Sequence, residues 1–162
     1  MAGVVVTNGA EEEIQALVRY NNDGSFDESF GEDGRAFKKI ENSFLRPMDI
    51  KIDINGNILT GGIYYDYDFK SFYLTRYLNN GQKDISFGDD GFITSDIGAG
   101  DWAWSILLQP DGKIILAGQS ISFAPTVENN FAAIRYNGGE SSLPITYKNF
   151  TATQKNGFIQ LN

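Results

Sequence analysis

An all-β fold built from repeated four-stranded antiparallel units is what this sequence predicts, on three observations. A stretch recurs: Val18 to Gly34 aligns without a gap on Thr75 to Gly91, with ten of 17 positions identical. An Arg-Tyr pair recurs as Arg19-Tyr20, Arg76-Tyr77 and Arg135-Tyr136, spaced 57 and then 59 residues apart. A near-constant period of that length marks a repeat architecture. Finally, eight Tyr, 12 Phe and 18 Gly in 162 residues, with no helical period, suit aromatic-rich strands joined by tight turns.

Taken in order, Gly3 to Gly9 is a β-branched run closed by a turn pair, and Ile14 to Tyr20 is a second strand. Both match the back half of the later repeats, so the chain is expected to open in mid-unit, as a truncated array would. Arg35 to Ile40 is expected to be the first strand of a full unit. Pro47 to Ile54 alternates, with Met48, Ile50, Ile52 and Ile54 on one face. Asn55-Gly56 predicts a two-residue type I′ hairpin, which needs positive φ at both residues. Asn57 toward Tyr65 is the return strand, and Phe69 to Leu78 is the fourth.

The next unit repeats the plan with Phe92 to Ile97, Trp102 to Gln109, Lys113 to Gln119 and Asn130 to Asn137. Trp104, Ile106 and Leu108 take the positions of Met48, Ile50 and Ile52. Pro110-Asp111-Gly112 turns the chain, Pro presetting φ and Gly taking the left-handed position. Three extra residues fall in the Ser120 to Asn129 connection. Beyond Asn137 the pattern stops, and Leu143 to Asn162 reads as two strands around Asn156-Gly157. The expected organisation is a repeat array over 1–140, with a half blade at 1–24 and blades at 25–81 and 82–138. Residues 141–162 are expected to start a second, truncated all-β module or linker.

Four antiparallel strands per repeat is the make-up of a β-propeller blade. On that plan Asn55-Gly56, Asp111-Gly112 and both long Asp/Glu/Gly loops decorate one common end. The alternative is an open β-solenoid stack. A single blade buries little by itself and needs neighbours on both sides. About two and a half blades are present, against roughly four to eight in a closed ring. Self-association or further blades are therefore expected to cover the open flanks and edges.

Composition bounds the function. A net charge of −8 speaks against nucleic acid, which needs clustered Lys and Arg, and against anionic membrane surfaces. No apolar run approaches the roughly 20 residues that span a bilayer, so no membrane insertion is expected. The first 20 residues lack the basic start and apolar block of a secretion signal. The absence of Cys excludes disulfides and thiolate chemistry; the absence of His excludes Ser-His hydrolysis and two-His zinc sites. Carboxylates, Lys and Tyr are what remains for catalysis.

The best metal candidate is Asn21-x-Asp23-Gly24-x-x-Asp27 with Asp33, mirrored in part by Asp84, Asp89 and Asp90. Closely spaced oxygens around a Gly turn suit Ca²⁺, whereas Asp and Asn also build Asx-turns by themselves. The turn reading is preferred, with no cofactor and calcium as the alternative. Glycosidase-like paired carboxylates are disfavoured because every acid is expected in a turn or on a polar strand face, solvated and ionised. Arg19, Arg76 and Arg135 are expected to bond blade carbonyls or a neighbouring Asp, with Tyr20, Tyr77 and Tyr136 packing between blades. Phe30 and Phe87 are expected to plug the gap between blades. Of Trp102 and Trp104, one is expected in the core and the other near the rim. Tyr64, Tyr65, Tyr67 and Trp102 are the candidate contacts for a protein or glycan surface.

The repeat resembles the delta-60 repeat family, propeller-like units of large secreted or surface-associated bacterial proteins. The resemblance is carried by Arg19-Tyr20, Gly24, Ser29-Phe30-Gly31 and Gly34, then by Arg76-Tyr77, Gly81, Asp84, Ser86-Phe87-Gly88 and Gly91. Gln109-Pro110-Asp111-Gly112-Lys113-Ile114 with Ala117-Gly118 is the most recognisable part. The first unit departs there, keeping the turn but losing Pro and Lys. Leu143 to Asn162 is similar to a segment that follows such repeats ahead of a sorting module. The resemblance implies a non-enzymatic scaffold or binding role and an extracellular or cell-surface location. The expected alternative is a carbohydrate-binding or carbohydrate-active propeller.

Overall fold

The computed structural model describes residues 2–6, 13–40, 43–66, 69–122, 127–138, 152–155 and 158–161; for 2–6, 13, 152–155 and 158–161 only the backbone is described. Twelve strands form among them. The first sheet orders β1 (Ala2–Val6), β2 (Glu13–Val18) and β3 (Arg35–Lys38). The second is a four-stranded meander of β4 (Phe44–Ile52), β5 (Ile58–Tyr65), β6 (Lys70–Tyr77) and β7 (Phe92–Ser95). The third holds β8 (Gly100–Leu108), β9 (Ile114–Ser122) and β10 (Glu128–Tyr136). A separate hairpin pairs β11 (Ala152–Lys155) with β12 (Phe158–Leu161); its Asn156-Gly157 turn lies outside the described residues. All pairings are antiparallel.

The sheets are out of phase with the sequence repeat. Arg35–Lys38, expected to open the unit that continues at Pro47, instead pairs with β2 (Val18↔Arg35, Gln15↔Lys38). Phe92–Ser95 likewise pairs with β6, not with the strand that follows it. The reason is local. The long loop after each of the first two Arg-Tyr pairs folds back on itself, with Arg19 N–H bonded to the Gly34 carbonyl and Arg76 N–H to the Gly91 carbonyl. It therefore delivers the next strand to the sheet just left.

Two turn and pattern expectations are corrected. Only Gly56 of the Asn55-Gly56 pair takes positive φ, at +83°. Gly56 N–H reaches the Asp53 carbonyl and Asp53 N–H the Asn57 carbonyl, giving a three-residue loop with Gly in the left-handed position rather than type I′. Pro110-Asp111-Gly112 builds the same loop between Gln109 and Lys113. The alternation of β4 is broken by a bulge: Pro47 pairs with Gly62 but Asp49 with Gly61, leaving Met48 extra. Trp104 is the bulged residue of β8, between Ala103 and Ser105. The bulged Met48 and Trp104 are exposed; Leu45 before the bulge is buried, as is Ile106 after its twin, and Ile50 packs partly buried against the core, while Ile52 at the strand end and Ile54 in the hairpin loop are exposed.

The core lies between sheets. Leu59, Phe72, Leu74 and Phe87 from the second sheet meet Ala103, Ile106, Leu116, Ile134 and Tyr136 from the third. Leu17, Phe30 and Ala36 from the first meet Ile58 and Tyr77 from the second. That second interface is partly polar: Gln15 Nε2 donates to Thr60 Oγ1 at 2.5 Å, and the Thr60 and Thr75 hydroxyls are 2.6 Å apart.

Candidate functional site

The recurring motif residues converge on the seams between sheets. Arg19 Nε bonds Asp27 Oδ2 at 2.8 Å, its Nη1 donates to the Asn79 carbonyl at 2.5 Å, and its guanidinium lies 4.7 Å from the Phe30 ring centroid. Arg76 repeats this one unit on. Its Nε bonds Asp84 Oδ2 at 2.7 Å, its Nη1 the Gly138 carbonyl at 2.5 Å, and Phe87 lies 4.4 Å beneath. Each Arg thus ties its own loop to the loop of the following sheet. Arg135 is exposed and makes no ion pair among the described residues.

The aromatics follow the same logic. Phe30 and Phe87 are each 1 % exposed, in matching positions under their Arg. Tyr77 and Tyr136 are buried between sheets, with Tyr136 Oη donating to Ser95 Oγ at 2.9 Å. Tyr20, at the equivalent position in the first unit, is exposed and stacks on Phe26 at 5.1 Å. The motif glycines Gly24, Gly31, Gly34, Gly81, Gly88, Gly91 and Gly112 all take positive φ. Gly81 matters doubly, since a Cβ there would strike the Gly31 backbone of the neighbouring loop.

The calcium candidates are occupied with turn chemistry. Asp23 accepts from Ser25, and Asp27 and Asp84 accept from the amide and hydroxyl of Ser29 and Ser86 respectively. Burial pushes the Asp84 carboxyl up, but bonds from Ser86 and Arg76 outweigh it and hold it below the usual value. Asp90 is lowered chiefly by the Lys83 hydrogen bond, and both Asp33 and Asp90 sit at positive φ. Asp89 caps its turn through backbone bonds to Phe92. Among the described residues no group of three or more acidic residues is gathered that could hold a metal ion.

The candidate surface aromatics separate. Tyr64 Oη is bonded to Ser43 Oγ at 2.9 Å and its ring packs edge-on to Phe92. Tyr65 and Trp102 come together across two sheets through Lys70, whose Nζ lies 5.4 Å from one ring centroid and 4.7 Å from the other. Arg46 lies 5.0 Å over Tyr65 as well. Tyr67 falls outside the described residues.

Two features escaped the sequence reading. Not every acid is solvated: Asp84 is 7 % exposed and Asp101 fully buried. Asp101 Oδ2 accepts from the Ile97 and Gly98 amides, while its Oδ1 has no partner among the described residues. Desolvation and then the Asp101 charge push the neighbouring Asp96 carboxyl up. Asp49 is the other feature. It accepts from the Ile106 amide at 2.8 Å and from Ser105, beside the bulge of the next sheet, and so joins β4 to β8. Its only sequence signal is its place beside the residue that bulges.

At the loop end, Asp53, Ile54 and Asn55 face Asp111, Gly112 and Lys113 across a cavity of 340 Å³ closed by Asn137 and Gly138. The hairpin turns of adjacent sheets therefore do share one end of the array.

A family model described as "Domain of unknown function (DUF5122) beta-propeller" matches residues 15–30 and 109–138. These segments hold the first Arg-Tyr loop through Phe30, and the Pro110-Asp111-Gly112 turn through the third Arg-Tyr. The sheets are blades of a partial β-propeller. No curated protein matches the chain. In propeller terms β4 and β8 are first strands of adjacent blades, joined by Asp49, and the Arg clasps hold the blades together at the loop end.

Proposed function

We propose that this propeller array is a non-enzymatic scaffold or protein-interaction module, of the delta-60 repeat type, in an exported bacterial protein. One observation carries the reading. The repeat's Arg, Asp and Phe build a clasp inside their own loop that is turned to the next blade: Asp27 and Asp84 hold Arg19 and Arg76, whose Nη1 atoms reach the Asn79 and Gly138 carbonyls of the following unit, while Phe30 and Phe87 are buried between sheets. What the motif maintains is an assembly of blades. The exported location rests on the family resemblance, and calcium has no part in this reading.

A second reading, carbohydrate binding, is favoured by the Tyr65–Lys70–Trp102 cluster. Sugar rings stack on such aromatics while a cation bonds their hydroxyls. A glycan array and a panel of chromogenic glycosides separate the two. The scaffold reading expects no turnover and no saturable glycan binding. Binding that is lost on Trp102→Ala and Tyr65→Ala, with folding intact, would replace it with the second.

A further inference from the structure

The link that carries the chain from the second blade to the third, 96–99, is pinned by one buried carboxylate. Asp101, near the start of β8, is fully buried. Its Oδ2 accepts from the Ile97 amide at 2.7 Å and from the Gly98 amide at 3.3 Å. The Ala99 amide bonds the Ile121 carbonyl of β9, which closes the rest of the link onto the third sheet. The other carboxylate oxygen, Oδ1, is sealed from solvent and has no hydrogen-bond partner among the described residues. A buried acceptor without a donor costs free energy, so a donor supplied there would tighten the joint.

The group that meets Asp101 is another acid. Asp96 opens the link, is itself exposed, and interacts with Asp101 by charge and by side-chain hydrogen bonding. Two ionised carboxylates offer acceptors only, so a bond between them forms only when one holds a proton. Asp101 is the one held ionised, because two amides donate to it. Asp96 reaches solvent and can take a proton from there. Desolvation, then the Asp101 charge, push its carboxyl above the ordinary value, and Asp66 of the β5–β6 connection acts in the same direction. The surrounding strands offer little to oppose them. β5, β7 and β9 carry no charged residue, and β9 sets Ser120 opposite Asp101. β10 carries Glu128 at its start and Arg135 near its far end. On β6, Lys70 holds its ammonium over the Tyr65 and Trp102 rings.

We propose that Asp96 and Asp101 share one proton, with the Asp96 carboxyl donating to Asp101 Oδ1, and that this bond makes the 96–99 link an acid-tightened joint between two blades. When the proton leaves, two like charges face each other and the link loosens from β8. A carboxyl whose folded-state pKa is raised stabilises the fold below its ordinary value of 3.8, and that stabilisation is lost as pH rises through the raised one. Asp84 works in the opposite sense, so the two acids separate on a pH axis. The joint goes beyond a scaffold role and operates whatever the array binds.

Carboxyl ¹³C NMR on the full wild-type chain, from about pH 3 to pH 7, reads the proton directly. Asp96 is expected to titrate above its ordinary value. Amide protection factors at Ile97 and Gly98 should fall roughly fivefold through the same midpoint, about what one hydrogen bond contributes. Both readouts need no variant to fold. Asp96→Asn replaces the shared proton with a permanent Nδ2 donor, so protection at Ile97 and Gly98 should stay high and flat across the range. In Asp101→Asn the new amide donates to Asp96, whose carboxyl should then titrate at or below the ordinary value. A wild-type Asp96 that titrates at or below that value, protection that ignores pH, or an Asp96→Asn chain that keeps the wild-type pH dependence would overturn the proposal. Protection restored at neutral pH by added Ca²⁺, and not in Asp96→Asn, would overturn it too, by giving Oδ1 to a metal ion.

Discussion

Arg76 and Arg19 make the same contacts in different surroundings, which lets burial be separated from chemistry. The Arg76 side chain is 8 % exposed and that of Arg19 is 36 %. Removing one partner of a buried pair leaves the other charge stranded, at a cost of about 3 kcal/mol. Arg76→Ala should cost on that order in urea denaturation, and Arg19→Ala clearly less, because water screens its pair with Asp27. Asp84 adds a pH dependence. Its folded-state pKa lies below the ordinary value of 3.8, so its stabilisation is present above that value and is lost as pH falls through the depressed one. Asp84→Asn should therefore lower Tm at neutral pH and flatten the acid limb of the Tm–pH profile. An acid limb unchanged by the substitution would show that Asp84 is not a source of it. The motif positions were legible in the sequence because they recur. The buried state of Asp84 and Asp101 was not, since burial depends on which loop of the next blade arrives above them.

At the scale of the element, the first strand of each blade shows where pattern reading stops. Met48, Ile50, Ile52 and Ile54 alternate in sequence, yet Met48 is the extra residue of a bulge, so that Leu45 before it and Ile50 after it, positions of opposite parity, both face the core. Side-chain alternation has a period of two, so one inserted residue exchanges the faces downstream. The opposite strand holds the only sequence trace of this event. Gly62 and Gly118 sit across from the two bulges, and a Cβ on either would run into the carbonyl oxygen of Arg46 or Trp102. Both backbones are fixed by their ladders, so neither can retreat cheaply. Gly62→Ala is expected to destabilise the protein by about 1–3 kcal/mol, as overpacking of a dense interior does. Amide exchange should rise first at β4 and β5. A neutral Gly62→Ala would mean that the bulge is not needed to seat β4 beside β8.

Across the whole molecule, the repeat period announced the number of strands and their antiparallel order. It did not announce where one blade ends, because the fold-back loop is inside the sequence unit but joins two strands of one sheet. The two blade interfaces also differ in a way that only alignment in space reveals. Position 72 of the second blade is Phe, fully buried against the third, and its twin in the first blade is Gln15. A buried aromatic side chain contributes roughly 1.5–3 kcal/mol. Gln15 instead spends its amide on Thr60 and leaves its Oε1 without a partner among the described residues. The first interface should therefore open before the second. Native-state hydrogen exchange at low urea is expected to release β2 and β3 ahead of β6 and β9. Replacing Gln15 by Leu tests the cause. Thr60 and Thr75 remain bonded to each other, so the substitution strands no hydroxyl while it removes a buried, half-satisfied amide. Gln15→Leu should raise stability by about 1 kcal/mol and narrow the gap between the two opening steps. If it lowers stability instead, the polar seam is a net contributor, and the ranking of the two interfaces must come from their apolar areas alone.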